Sequence, residues 1–593
     1  MRRFTRSHFR FSAAVNTNPC ALSDRTPGSV FRPATRVQLI QRSPEVKDVQ
    51  ASAPERQFPA SDTTDEGSRQ AAGSEPRREE VSSSLCPLRD LRTLQQCDTK
   101  LGELTFSLTH TVLVDVAAFN KGKMLLAQEG RDMWHSNFVK MPCSPSSFMV
   151  KSGMMKSPSQ VKRWEVICKQ LKALASKTEV DVERVQEAIL KYNPKYKTEW
   201  SFDALSSFVQ SIPKPENYSC SLFPKIAALA LDLPKHVKKG IPLLRSGQTA
   251  AVTLSQLQIA CLLANAFFCT FPHRNTSKPN SEYHGYPSIN FTSLFGKWSQ
   301  RSKEKLRAVM HYFKVVTETK PKGLVTFQRQ CLKDVDRPDW KSCAASMPKL
   351  HVTSGGSIEA EGTGLLQVDF AACQIGGGVL GSGLLQEEIL FLMNPELIVA
   401  RLFTEKLADN ESLIITGSQK FSCYSGFRDS FEWAGPHYDT LKRDNWARLE
   451  RQIVAIDALH FKHRSEQYNM SKINRELNKA FCGFKGQGHE TPDIATGKWG
   501  CGAFNGDPEL KALIQLMAAG KARRGLAFFT FRDETLKRNL EQIYTLLVKR
   551  EITVGQLYEL LENYCAILRA QPGDHVDLFK FIENTLGPSR SLL

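Results

Sequence analysis

Residues 364–388 read GLLQVDFAACQIGGGVLGSGLLQEE, and this stretch decides the fold. A short apolar run that ends at Asp369 is typical of a buried strand, and the glycine-rich segment behind it leads into a helix. Five glycines in the eight residues from Gly376 to Gly383 let backbone N–H groups approach a ligand closely. Strand, glycine-rich loop and helix in this order predict an α/β fold whose ligand lies beyond the carboxyl end of the strand.

The chain from about residue 323 onward alternates short apolar runs with longer helical patterns. The runs GLVTF, GLLQVDFA, SLIITGS, IVAIDALHF and LAFFTF are rich in β-branched and aromatic residues and predict strands. Apolar residues recur at helical spacing in LQEEILFLMNPELIVARLF, NRELNKAFCGF and PELKALIQLMAAGKARR. Residues 323–593 are therefore predicted to form a sheet that is at least partly parallel and is covered by helices on its faces.

The preceding segment, residues 106–322, has mostly helical spacing. Apolar residues recur at intervals of three and four residues in VKRWEVICKQLKALASK, VDVERVQEAILKY, LSQLQIACLLANAFF and SKEKLRAVMHYFKVV. Asp181 is expected to cap the second of these helices, and Thr253 or Ser255 the third. This segment is predicted to form a separate, mainly helical domain.

Residues 1–105 differ in composition from the rest of the chain. Residues 1–43 hold eight arginines against one aspartate, a net charge of +7. Such a segment is typical of a mitochondrial presequence, and the alternative is a flexible basic arm that assists nuclear import or nucleic-acid contact. Residues 44–85 contain one aromatic residue, Phe58, and bury too little surface to offset chain entropy. We expect residues 1–105 to form a disordered, basic and polar extension.

Composition excludes several classes of protein. The 593 residues are 41% hydrophobic and 24% charged, which describes a chain able to bury a large core. The longest apolar run, from Ile259 to Phe271, is interrupted by Asn265 and is too short to span a bilayer. Fifteen cysteines without a CxxC pair, and histidines without HExxH, predict reduced intracellular thiols and no metal site. The net charge of +18 favours a polyanionic partner.

Three carboxyl groups flank the first glycine-rich loop. Asp369 ends the strand, while Glu387 and Glu388 open the helix that follows the loop. Carboxyls that converge beside a ligand loop suit general acid–base chemistry on a sugar acetal. The loop also satisfies GxGxxG from Gly376 to Gly381, which is a dinucleotide-binding pattern. Against this alternative, two carboxylates at the helix N-terminus would repel the pyrophosphate that a dinucleotide places there.

A second glycine-rich segment, TGKWGCGAFNGD at residues 496–507, also precedes a predicted helix. Its backbone N–H groups are candidates for binding a diphosphate, with Phe504 against a ribose or a base. The alternative is an ordinary glycine-rich turn over a buried Trp499. The diphosphate interpretation agrees with sugar chemistry at the first loop.

The string GGGVLGSGLLQEE resembles the signature of the poly(ADP-ribose) glycohydrolase family, three glycines followed after a short gap by Gln-Glu-Glu. Other segments resemble vertebrate members in the same order, from about His110 to about Ile582: HTVLVDV, MPCS, LLANAFFCTFP, GLVTFQRQ, LHVTSGGSIE, LQVDFA, FLMNPELIVARLF, IVAIDALHF, ELNKAFCGF, TGKWGCGAF and FFTF. The resemblance implies a macrodomain, which is a three-layer α/β/α sandwich around a mixed sheet, with a helical accessory domain packed in front of it.

The activity implied by the resemblance is hydrolysis of ribose–ribose O-glycosidic bonds in poly(ADP-ribose), which releases ADP-ribose without a metal or cofactor. The implied partners are poly(ADP-ribose) and the proteins that carry it. A monomer without membrane association or sequence-specific nucleic-acid binding is expected. The family acts mainly in nucleus and cytoplasm, and the arginine-rich residues 1–43 leave the mitochondrial matrix as an alternative.

The resemblance also implies roles for the three carboxyls. Glu388 would protonate the leaving ribose oxygen and, once ionised, activate the attacking water. Glu387 would hold ribose hydroxyls, and Asp369 would fix the loop. The implied substrate-binding residues are Ile358 and Glu359 for adenine, Gln386 for ribose, the loop glycines Gly376, Gly377 and Gly378, the diphosphate segment Trp499, Gly500, Cys501, Gly502 and Ala503, Phe504 beside the terminal ribose, and Phe531 stacked on adenine.

Three further substrate-site positions depart from the family pattern. Ala372 stands where the family has Asn, Phe427 where it has a clasp Tyr, and Lys498 where it has Asn. Each replacement removes a polar contact, although an ammonium at Lys498 could attract a diphosphate. The departures favour a second hypothesis, a catalytically weak reader that binds ADP-ribose chains through the same pocket. The intact acidic triad favours the enzyme.

Overall fold

The computed structural model describes residues 85–97, 101–151, 159–213, 217–276, 278–486, 490–570 and 577–587. The predicted presequence over residues 1–43 lies outside these described residues. Of the extension over residues 1–105 that was predicted to be disordered, residues 85–97 and 101–105 are described, and Leu91, Leu94 and Leu104 there are buried in the folded body. All described residues belong to the unit Glu79–Leu593.

Strands alternate with helices along most of the described chain. In chain order the strands are β1 (His110–Val112), β2 (Phe148–Lys151), β3 (Ser159–Lys162), β4 (Ala250–Ser255), β5 (Leu324–Cys331), β6 (Leu350–Thr353), β7 (Leu366–Ala371), β8 (Glu411–Thr416), β9 (Ser422–Ser425), β10 (Glu432–Pro436), β11 (Gln452–Asp457), β12 (Ile494–Gly497) and β13 (Leu526–Phe529). The helices are α1 (Val116–Gly122), α2 (Arg163–Ala175), α3 (Val182–Lys191), α4 (Asp203–Ser211), α5 (Ser219–Leu231), α6 (Leu233–His236), α7 (Gln256–Phe267), α8 (Thr292–Gly296), α9 (Gln300–Glu318), α10 (Gln386–Met393), α11 (Ala400–Phe403), α12 (Met470–Phe484), α13 (Pro508–Ala522), α14 (Glu534–Lys549), α15 (Val554–Ala570) and α16 (Leu578–Leu586).

One mixed sheet occupies the centre of the described part. Its nine strands there run in the order β1, β4, β5, β8, β11, β7, β12, β13 and β6. The last five are mutually parallel, whereas β8 runs antiparallel to both β5 and β11. The carboxyl ends of five neighbouring strands therefore share one edge of the sheet, where open α/β sheets bind ligands. Outside this sheet, β2 pairs with β3 and β9 with β10.

Helices cover both faces of the sheet. Alternate residues of the central strand β11 show this, because they pack in two different cores. Ile453 and Ala455 belong to a core shared with the helices that precede β5 and with α10 and α11. Val454 and Ile456, on the opposite face, belong to a core shared with α12 to α16. Because successive strand residues face opposite sides, the sheet lies between two helical layers. The predicted three-layer α/β/α arrangement is confirmed.

The helical pattern before residue 323 forms the helices α2, α3, α7 and α9 that were predicted there. Asp181 accepts a hydrogen bond from the Arg184 N–H and caps α3, and Ser255 rather than Thr253 caps α7. The same segment also supplies β1 and β4, so the sheet is not confined to residues 323–593 as predicted. The strand β4 was hidden because its last residues continue into the helical spacing of α7.

The five strands predicted after residue 323 all occur, as β5, β7, β8, β11 and β13. The short strands β6 and β12 were not predicted. Within the described part of the chain, no helix is long and apolar enough to cross a membrane. Among the same residues, no group of three or more His, Cys, Asp or Glu is placed to hold a metal ion.

Candidate active site

Backbone N–H groups on the strand side of the first glycine-rich loop hold the carboxyl of Glu387. This residue lies in the first turn of α10 and is buried. Its Oε1 accepts from the Gly376 N–H at 2.6 Å, and its Oε2 accepts from the Ala372 N–H at 2.8 Å. Burial, together with the nearby carboxyl of Asp369, raises the pKa of Glu387 well above its ordinary value. Both oxygens of this carboxyl are therefore fixed by the loop.

The neighbouring carboxyl of Glu388 is held from two sides. Its Oε1 accepts from the Gly378 N–H at 2.8 Å, and its Oε2 accepts from the Leu385 N–H at 2.7 Å. Leu385 is the residue that precedes α10, so the second bond closes the first turn of that helix. The loop and the helix N-terminus together determine where this carboxyl lies.

The two glutamates converge on Gly377. This glycine has a φ of +44°, and a β-carbon placed on it would lie 2.5 Å from Glu388 Oε1 and 2.8 Å from Glu387 Oε2. Neither the backbone conformation nor the space admits a side chain. The third glycine of the motif, Gly378, would bring its β-carbon within 2.7 Å of the Gly383 nitrogen. The glycines are therefore needed for the close approach of backbone to carboxylate.

Asp369 is fully buried beside this pair and lies within β7, which continues to Ala371 and does not end at Asp369 as predicted. Neither of its carboxyl oxygens has a hydrogen-bond partner among the described residues. Burial, with the nearby carboxyls of Glu388 and Glu359, raises the pKa of Asp369 well above its ordinary value. Buried polar groups without partners are rare and cluster at functional sites. The structure thus brings together the three carboxyls that the sequence singled out.

A buried ammonium holds the other side of the loop. Lys305, on α9 of the helical segment, is fully buried, and burial lowers its pKa to about 7. Its Nζ donates to four loop carbonyl oxygens, those of Gly378, Val379, Gly381 and Gly383. The amides of the loop therefore face carboxylates while its carbonyls face a cation.

Arg401, on α11, adds a second cation at the same loop. Its Nη1 donates to the carbonyl oxygens of Ile375 and Gly377, at 2.9 Å each. Sequence reasoning missed both Lys305 and Arg401. Each of them is a charged residue at a position where the apolar pattern predicts a buried side chain, and this could have revealed them. Lys305 lies on the same face of α9 as Val309 and Tyr312, and Arg401 interrupts a run of buried apolar residues.

The residues predicted for adenine and ribose lie in the segment between β6 and β7 and at the start of α10. Ile358 is buried, and its carbonyl oxygen accepts from Gln367 Nε2 at 2.9 Å. Gln386 accepts from the Phe370 N–H at 2.8 Å and places its Nε2 3.5 Å from Glu359 Oε1. Burial raises the pKa of Glu359. Glu359 and Gln386 are thus adjacent, beside the acidic triad.

Phe531 follows β13 and remains 36% exposed. A β-carbon on Gly497 would lie 2.7 Å from Phe531 Cε2, so the ring covers the end of β12. Phe531 and its neighbour Arg532 both have positive φ, at 52° and 63°. Two consecutive non-glycine residues in this region are strained, and such strain concentrates at binding sites. The ring is thus exposed beyond the end of β13, and its role in stacking on adenine stays a prediction.

The second glycine-rich loop offers backbone donors. The N–H groups of Gly500, Gly502 and Ala503 donate to no acceptor among the described residues. Gly502 and Ala503 are exposed, and Gly500 adopts a φ of +75°. Free backbone N–H groups that lie close together can bind an anion. The diphosphate site at this loop stays a prediction.

Three side chains of the second loop do not face a ligand. Trp499 is fully buried, and its Nε1 donates to the Ile456 carbonyl oxygen at 2.9 Å. Lys498 Nζ lies 3.4 Å from Asp533 Oδ2, so its ammonium is paired. Burial raises the pKa of the Cys501 thiol, whose Sγ lies 3.5 Å from the Trp499 carbonyl oxygen. These side chains support the loop, and only its backbone is directed outward.

The remaining predicted contacts lie around the two loops. Phe504 is half-buried and packs edge-on against His460, with ring centroids 5.7 Å apart. Phe427 is 48% exposed in the turn between β9 and β10. Ala372 lacks a polar side chain but uses its N–H to hold Glu387.

The fold is that of a macrodomain, and it places three buried carboxyls beside a glycine-rich loop. The family model described as the helical domain of poly(ADP-ribose) glycohydrolase matches residues 212–329, and that described as its macro domain fold matches residues 337–538. The chain belongs to the poly(ADP-ribose) glycohydrolase family. The predicted family and fold class are confirmed.

Relatives from distant organisms match over much of the chain. Poly(ADP-ribose) glycohydrolase 1 of Arabidopsis thaliana is 33% identical over 438 residues, which cover 58% of this chain and 78% of that protein. Probable poly(ADP-ribose) glycohydrolase 2 of the same plant is 32% identical over 415 residues, or 59% of this chain and 78% of that protein. Poly(ADP-ribose) glycohydrolase 1 of Caenorhabditis elegans is 34% identical over 373 residues, or 60% of this chain and 45% of that protein.

Proposed function

We propose that this chain is a glycosidase that hydrolyses ribose–ribose O-glycosidic bonds of poly(ADP-ribose) and releases ADP-ribose. The observation that carries the proposal is the pair Glu387 and Glu388, whose carboxyls converge at Gly377 while backbone N–H groups hold all four oxygens. The names of the relatives point to the same activity. Fixed carboxyls suit acid–base catalysis because little reorganisation accompanies the proton transfer.

Glu388 is the proposed general acid. Both glutamates are buried, and Glu388 is the slightly more exposed residue, at 8% against 4% for Glu387. Glu388 donates a proton to the leaving ribose oxygen as the glycosidic bond breaks. Its carboxylate then takes a proton from the water that attacks the oxocarbenium-like sugar, which restores the acid. The N–H groups of Gly378 and Leu385 stabilise the ionised form between these steps.

Glu387 is proposed to hold ribose hydroxyls, and Asp369 to support the loop. Three ionised carboxyls in one buried site would repel one another and the phosphates of the substrate. The raised pKa values of Asp369 and Glu387 favour their uncharged forms, and this reduces the repulsion. An anionic polymer can then approach Glu388 against weaker repulsion.

The substrate is proposed to lie along the carboxyl edge of the sheet. Adenine stacks on Phe531 beside Ile358 and Glu359, and stacking of this kind contributes about 1–3 kcal/mol per base. The diphosphate binds the free N–H groups of the second loop. Phe504 and Phe427 flank the terminal ribose. Each of these groups lies at or beyond the end of a strand, or in the β9–β10 turn.

A product assay tests the proposal. The purified chain is incubated with radiolabelled poly(ADP-ribose), and free ADP-ribose is separated by chromatography. Release that grows with time and with protein concentration supports the glycosidase. The second candidate function is a reader that binds the polymer without cleaving it, favoured by Ala372, Phe427 and the pairing of Lys498 with Asp533. Intact polymer that co-purifies with the protein would support the reader instead.

We further propose that the chain acts as a monomer in nucleus and cytoplasm. Light scattering at micromolar concentration measures its mass, which for one chain is 66.6 kDa. A fusion of residues 1–43 to a fluorescent protein tests the alternative of a mitochondrial presequence. Mitochondrial fluorescence that disappears when Arg2, Arg3, Arg6 and Arg10 are changed to Glu would overturn the proposed compartments.

A further inference from the structure

An arginine that the family pattern does not assign lies in the turn between β9 and β10. Arg428 has a φ of +56° and follows Phe427. The turn is fixed on both sides, because Ser430 Oγ accepts from the Phe427 N–H at 3.0 Å and Asp429 pairs with Arg301 of α9 at 2.7 Å. Arg301 also donates to the Ser382 carbonyl oxygen, in the first glycine-rich loop. The turn therefore has a defined position beside the candidate active site.

The guanidinium of Arg428 reaches the second glycine-rich loop. A β-carbon placed on Gly502 would lie 4.0 Å from Arg428 Nη2. On its other side, Arg428 Cζ lies 5.9 Å from the centroid of the Phe427 ring. The exposed guanidinium forms no ion pair with any described carboxylate. Its donors remain available to a ligand that occupies the space beside Gly502.

Three basic residues near the second loop are already paired. Lys498 faces Asp533, and Lys511 forms a buried pair with Glu476. Arg464 lies 3.8 Å from Asp507. Each of these three cations is near the second loop and would otherwise be a candidate to bind a phosphate, but a carboxylate already neutralises it. Arg428 instead comes from another element and carries its charge to the loop without a counterion.

We propose that Arg428 binds the diphosphate of the bound ADP-ribose unit and clamps it against the free N–H groups of Gly500, Gly502 and Ala503. The inference rests on the proposed function and names a further residue of that binding site. A guanidinium presents two parallel donors, a geometry that matches phosphate oxygens. Backbone amides on one side and a cation on the other would enclose the diphosphate, which Lys498 cannot do while it pairs with Asp533.

Binding measurements with ADP-ribose and with adenosine test this assignment. Arg428→Gln keeps a polar side chain of similar length without the charge, and we expect ADP-ribose to bind about tenfold more weakly. Adenosine, which has no phosphate, should bind as it does to the wild type. Added salt should weaken ADP-ribose binding less in this variant than in the wild type. Arg428→Lys should recover part of the affinity.

Arg523→Gln is the matched control. Arg523 is also an exposed arginine with positive φ, at 54°, but it precedes β13 and so lies at the opposite edge of the sheet. We expect wild-type affinity from it. Wild-type ADP-ribose affinity in Arg428→Gln, or equal losses for ADP-ribose and adenosine, would overturn the inference. A wild-type chain that neither binds ADP-ribose nor releases it from polymer would instead overturn the proposed function.

Discussion

Replacing Gly377 with alanine should lower turnover about 100-fold, a larger loss than the loss of ADP-ribose affinity that follows from displacing Glu387. The new β-carbon would lie 2.5 Å from Glu388 Oε1 and 2.8 Å from Glu387 Oε2. An ordinary contact needs roughly 3.5 Å, so the carboxyl of Glu388 would have to retreat by roughly 1 Å. A displacement of that size costs about 10²-fold in rate. The φ of +44° adds about 1–2 kcal/mol of backbone strain to the folded state.

The assay is release of ADP-ribose from poly(ADP-ribose), analysed for kcat and KM, with calorimetry to establish that the variant is folded at the assay temperature. Gly381→Ala is the control within the same loop, because its β-carbon would find no neighbour closer than the Gly378 carbonyl oxygen at 3.7 Å. We expect that control to keep most of its activity. Near wild-type turnover in Gly377→Ala, or equal damage from both changes, would refute the geometric argument.

Three other changes test separate parts of the site. Because the pKa of Asp369 is raised, the folded chain keeps a proton that the unfolded chain releases above its ordinary pKa of 3.8, and the free energy of unfolding falls as pH rises. Asp369→Asn should therefore flatten the fall in urea stability between pH 4 and pH 8, and an unchanged slope would contradict the burial argument. Lys305→Met leaves four loop carbonyls without a donor, and the free energy of unfolding by urea should drop by about 2 kcal/mol with a loss of turnover. A stable and active Lys305→Met would show that the cation does not hold the loop. Lys498→Asn should change ADP-ribose affinity by less than about threefold in titration calorimetry, because the ammonium pairs with Asp533. A large change would place Lys498 on the ligand.

The sheet and the carboxyls could be predicted because their signals are local. The strand β7 and the start of α10 flank the glycines within one short stretch, so sequence order alone places Asp369 beside Glu387 and Glu388. The strand β4 could not be separated from α7, because the residues at their junction satisfy both periodicities. Predictions based on local pattern therefore succeeded for β5, β7, β8, β11 and β13 and failed at that junction and for the short strands β6 and β12.

The partners of the charged side chains could not be predicted from the sequence. Lys305 meets its loop only through folding, since Gly378 lies 73 residues further along the chain. The sequence position of Lys498 indicates a contact with a diphosphate, whereas in the structure its ammonium contacts Asp533, which lies 35 residues further along the chain. Arg428 belongs to a turn with no motif of its own. Contacts of this kind depend on the tertiary fold and have no local signature.

The measurement that tests the central claim most directly compares Glu388→Gln with the wild type for both hydrolysis and binding. The amide preserves size but cannot donate and recover a proton, so ADP-ribose release should fall by about 10²–10⁴-fold. Affinity for ADP-ribose, measured by calorimetry on the same preparation, should stay within a few-fold of the wild type. Near wild-type release of ADP-ribose by Glu388→Gln would contradict the assignment of the general acid and, with it, the proposed mechanism.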